Sequence, residues 1–121
     1  MTSDRSVDLR SIDPLAAPLT VVGPKAGATA GSPVESDLTI HAADGVDMGV
    51  WECTPGTWPS EKVGVGELMH FVAGHGWLVD ADGRREEIRP GLVRYLPDGW
   101  RGHWEVDETV RKVYVIVRSH R

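Results

Sequence analysis

From Leu15 onward the chain is interrupted roughly every eight to twelve residues by Gly, Pro or Asp clusters, and the pieces between are short apolar runs rich in Val, Ile, Trp and Tyr. Such punctuation excludes long helices, because a Gly or Pro falls inside each stretch before helical periodicity has run two turns. It predicts an all-β sandwich or barrel. The runs expected as strands include Leu38–His41, Gly49–Thr54, Leu68–Ala73, Gly76–Val79, Glu86–Arg89, Leu92–Leu96, Gly102–Val106 and Val110–Arg118.

Two turns are legible from their chemistry. Asp82-Gly83, between Trp77-Leu78-Val79 and Arg84-Arg85-Glu86, supplies the positive-φ residues of a tight hairpin, and Asp44-Gly45 gives a second signal of the same kind. With 121 residues the chain fits one domain over residues 15–121, preceded by a polar and charged arm over 1–14, free or exchanged with a neighbouring subunit.

Charge narrows the partners. Thirteen Lys and Arg stand against 18 Asp and Glu, a formal net charge of −5, and no basic stripe forms, so nucleic acid is not an expected partner. No window approaches the ~20 apolar residues of a membrane span, and residues 1–10 lack the apolar centre of a signal peptide. Cys53 is the single cysteine and has no intramolecular partner. A cytoplasmic protein is the expectation.

Two stretches fall into register with the cupin signature. In the first, running from Gly56 to Gly74, Glu67 and Gly74 hold the characteristic interval. In the second, from Pro90 to Gly102, Gly91, Pro97 and Gly99 stand at the expected places. Together with Gly49–Gly56 and the segment Trp104–Lys112, these blocks resemble one cupin subgroup, similar to the cupin domain of (S)-ureidoglycine aminohydrolase, over roughly residues 38–118. The resemblance implies a double-stranded β-helix (a jelly-roll barrel of two antiparallel sheets) with its site in the barrel mouth, commonly as a homodimer.

The resemblance also locates candidate site residues. A cupin metal centre would draw on positions occupied here by Glu61, Val63, Glu67 and Gly102, and neither Val nor Gly offers a donor, so no metal residue is assigned and any cofactor is left open. The ureidoglycine enzymes use a carboxylate where Glu61 stands, His where Val63 and Glu67 stand, and Gln where Gly102 stands. Their substrate-holding Tyr and Lys fall on Tyr114 and Arg118.

Strand alternation then groups the faces. If Glu67 points inward, so do Met69 and Phe71; Gly102 brings Trp104 and Val106; Tyr114 brings Lys112, Ile116 and Arg118. The expected cavity is aromatic, lined by Trp51, Phe71, Trp104 and Tyr114 with Arg118 at hand, and Glu61 and Glu67 are its charges. That suits a small polar ligand. Glu67 or Glu61 would serve as general base if the protein is an enzyme of the aminohydrolase kind, and Lys112 is a structural partner for Glu67 if it is a binding module. Of the histidines, His70 falls on the face opposite Glu67, His103 points away from the ligand position, and His75 sits in a solvated turn; Ser60 and Cys53 have no His at a spacing that suggests a nucleophile.

Overall fold

The computed structural model of the chain describes residues 11–120, so the expected arm lies, for residues 1–10, outside the described residues. Nine strands follow in order: β1 Thr20–Pro24, β2 Ala30–Gly31, β3 Val34–Ala43, β4 Val46–Cys53, β5 Gly56–Glu61, β6 Val65–Asp80, β7 Arg85–Ile88, β8 Val93–Leu96 and β9 Arg101–Arg118. Among the described residues there is no helix.

All pairings are antiparallel, and two long strands organise them. The first half of β6 and the second half of β9 pair with each other, β8 flanks the former, and β4, β3 and β1 continue from the latter. The second half of β6 and the first half of β9 also pair, with β7 on one side and β5 and β2 on the other. Two sheets therefore share two bent strands, which closes a double-stranded β-helix of the jelly-roll kind.

Each of these long strands joins two of the runs expected as separate strands. The breaks are bends instead, absorbed by register shifts between Phe71 and Gly76. Gly74 is what allows this. Its φ is +96°, and a Cβ there would stand 2.2 Å from the Thr109 carbonyl oxygen, so only glycine lets β6 turn this close to β9. Both expected hairpins are present: Asp44 and Gly45 take positive φ between β3 and β4, and Gly83 does so between β6 and β7.

Alternation sorts the faces as expected on β6, where Glu67, Met69 and Phe71 are buried while Leu68 and His70 are exposed. One end of the barrel is packed solid by Phe71, Leu78, Ile88, Leu96, Trp104, Val106 and Val110. Trp58, which is not among the expected cavity residues, is only 1% exposed and stacks on Trp104 at 5.7 Å between ring centroids. On the outer surface Arg111 pins residues 14–17, donating to the carbonyls of Pro14 and Ala17 while pairing with Glu52. Arg111 thus ties the chain at Pro14 to the barrel wall.

Candidate functional site

The other end of the barrel stays open. A cavity of about 250 Å³ lies between the sheets, walled by Trp51, Trp58, Trp104 and Tyr114 and carrying Lys25, Glu35, Asp37, Asp47, Ser60, Lys62, Glu67 and Lys112.

Its floor is built on Glu67, 2% exposed, whose two oxygens are each taken by an ammonium: Lys62 Nζ donates to Oε1 at 2.5 Å and Lys112 Nζ to Oε2 at 2.7 Å. Burial alone would push this carboxyl up, but Lys112 and Lys62 outweigh it and hold it below the usual carboxylate range. Lys112, 5% exposed, sits 4.4 Å from the Trp51 ring centroid and 4.8 Å from that of Trp104, with Met69 Sδ at 3.5 Å. Two π faces and a carboxylate replace the water it has lost. Desolvation still dominates and lowers its pKa, with Glu67 acting in the opposite direction.

The mouth is acidic. Trp51 Nε1 donates to Glu35 Oε1 at 2.9 Å, and Glu35 also faces Lys25 at 3.4 Å. Tyr114 donates its hydroxyl to Asp47 at 3.2 Å, and burial, foremost, pushes that phenol up to about 12. Burial and the neighbouring charges of Glu35 and Asp47 raise the pKa of Asp37. Cys53 lies at the buried base of this wall, and burial pushes its thiol up to about 11, so it is not a ready nucleophile.

Of the site residues drawn from sequence, Glu67, Trp51, Trp104 and Tyr114 meet at the cavity. Phe71 lies beneath, fully buried against Trp104 at 5.9 Å. Glu61 is exposed on the outer side of β5, in a surface depression with Arg101 and His103. Arg118 is exposed too, because β9 runs past the barrel mouth and ends beside Gly45 and Val65. The anticipated pairing of Glu67 with Lys112 is present; its second partner, Lys62, was missed, since it belongs to the connection between β5 and β6 where alternation gives no orientation. His75 is not merely solvated: it bridges Asp107 and Glu87, 2.8 Å from each.

The donor set does not fit a cupin metal. Val63 is 74% exposed, and at Gly102 a Cβ would lie 2.1 Å from the Val79 carbonyl oxygen, leaving no room for any ligating side chain. No histidine lines the cavity, and both Glu67 oxygens already face ammonium groups. Among the described residues no cluster of three or more His, Cys, Asp or Glu side chains could hold a metal ion.

A model of the EutQ-like cupin domain matches residues 41–114. The chain belongs to this cupin family. Solved structures agree on its fold: a protein of unknown function from Pseudomonas syringae pv. tomato (TM-score 0.75, 24% identity, 84% of this chain), the Clostridium difficile EutQ protein (0.62, 17%, 74% of this chain and 71% of that one) and a predicted oxalate decarboxylase from Thermotoga maritima (0.66, 14%, 90% and 99%). The chain spans only 45% of the length of the Pseudomonas protein. No curated protein matches the sequence. No helix of the described residues of this cupin is long and apolar enough to cross a membrane.

Proposed function

We propose that this cupin is a binding module that takes a small polar metabolite into its barrel without a metal. One observation carries the reading: the carboxylate at the heart of the site, Glu67, is neutralised by Lys112 and Lys62 instead of being free to ligate or to act as a base, while the cavity beside it stays open. At about 250 Å³ it lies just under the ~300–1,000 Å³ of pockets for drug-sized ligands, so its ligand is small. The aminohydrolase-like alternative has less support, because Glu61 and Arg118, two of the positions that the ureidoglycine resemblance would use, face other surfaces. We further propose a homodimer, as that resemblance implies; light scattering at the monomer mass would overturn it.

Elemental analysis of the purified protein combined with intrinsic fluorescence tests the main reading, since Trp51, Trp58 and Trp104 report on the cavity. A saturable change with a metabolite, reduced in Trp51→Phe and indifferent to chelator, is the expected result. A stoichiometric transition metal lost in Glu67→Gln would sink it, as would a metabolite library that leaves the emission unmoved.

A further inference from the structure

The cavity is electrically polarised along the sheet that forms its wall. Reading across the register, Asp37 on β3 faces Trp51 on β4, which faces Lys112 on β9, which faces Phe71 on β6; four residues further along β9 and on the same face, Ile116 is flanked by Asp47 on β4 and Glu67 on β6. Across the register Asp37 is thus set two strand spacings from Lys112, and Asp47 two from Glu67, about 10 Å between backbones in each case.

At the β9 and β6 end, two ammonium groups stand against one carboxylate, an excess of one positive charge. A lysine has three N–H donors, and Lys62 directs one to Glu67 Oε1, with no other acceptor among the described residues. Its backbone is fixed, accepting from the Gly99 amide at 2.7 Å and donating to the Trp100 carbonyl at 2.9 Å, so the remaining donors are held at the cavity in advance. At the opposite end Lys25 and Glu35 cancel, which leaves Asp37 and Asp47 as two uncompensated negative charges. Asp47 takes one hydrogen bond from Tyr114, and Asp37 has no hydrogen-bond or ion-pair partner among the described residues. Aromatic rings line the space between.

We propose that the cavity binds a short zwitterion, its carboxylate on Lys62 and its ammonium on Asp37 and Asp47, with the connecting carbons against Trp51 and Trp104. The proposal rests on the reading of this cavity as a small-molecule site and names the ligand class. A ligand with only one charged end leaves the other end of the pocket with unmatched charge, so discrimination comes from both ends together.

The test is calorimetry on the full chain with a length series (glycine, β-alanine, 4-aminobutyrate, 6-aminohexanoate) beside the one-ended analogues butyrate and butylamine. One member of the series should bind at least about tenfold more tightly than either analogue. Lys62→Gln and Asp37→Asn, both at partly exposed side chains, should each weaken that zwitterion about tenfold, Lys62→Gln leaving butylamine and Asp37→Asn leaving butyrate unaffected. Asp37→Lys should transfer preference to a dicarboxylate such as succinate. Equal binding of zwitterion and analogue, or none by the whole series, would overturn the zwitterion class. If a neutral metabolite nevertheless moves the tryptophan emission, cavity binding survives; if nothing in the library does, both readings fall.

Discussion

Two clusters in this barrel share a plan and differ in surroundings. Glu67 stands between Lys62 and Lys112 at 2.5 and 2.7 Å, and His75 stands between Asp107 and Glu87 at 2.8 Å to each. Geometry alone would rank them as equals. Glu67 is 2% exposed and Lys112 5%, so each of these charges depends on its partners to offset a desolvation cost of several kcal/mol. Around His75 solvent screens the same distances, and an exposed pair of this kind contributes little. Medium, not contact distance, decides which cluster matters.

The largest effect expected is from Glu67→Leu, which leaves Lys112 buried beside Lys62 with no anion and should cost about 3–5 kcal/mol in urea unfolding. Adding Lys112→Met to that variant should restore most of the loss; a double variant no more stable than the single one would show that the triad is not the unit described here. Lys112→Met alone should cost less, about 2 kcal/mol, because Glu67 keeps Lys62. An acid titration sharpens the contrast further. The folded pKa of Glu67 is depressed, so its contribution is present above the unfolded carboxylate value and lost as pH falls through the folded one. Glu67→Leu should therefore flatten the acid limb of the stability curve, and an unchanged limb would contradict the assignment.

At the small end, His75→Gln should leave the Tm of the protein within error of wild type. Hydrogen bonds that the charged imidazole donates to Glu87, first, and to Asp107 raise the His75 pKa above 6.5, so what it contributes is complete below that value and disappears as pH rises through the raised one. An NMR titration with a midpoint at or below 6.5 would break the description of this cluster.

Strand alternation made the inward row Glu67, Met69, Phe71 readable, and with it the Glu67–Lys112 pair, because two residues on facing strands need only a period of two to be placed. Lys62, Lys25 and Glu35 were not readable: each sits in or beside a connection or a strand end, where orientation is set by tertiary hydrogen bonds such as those of Lys62 to Gly99 and Trp100. Glu61 and Arg118 show the converse. Motif spacing placed them at the site, but spacing does not say where a strand leaves the barrel. At Gly74 the spacing marks a glycine without saying whether it ends a strand or bends one, because φ > 0 serves for both.

That bend has a dynamic consequence. Trp104 and Lys112 belong to different sheets yet lie on the one strand β9, as Leu78 and Glu67 lie on β6. Neither sheet can peel away while the other stays zipped, so the slowest-exchanging amides on both halves of β9 should open with one common free energy and one denaturant slope. The stability of the cavity-facing wall is thereby tied to the packed end of the barrel, and a core substitution as remote as Ile88→Ala should accelerate exchange beside Lys112.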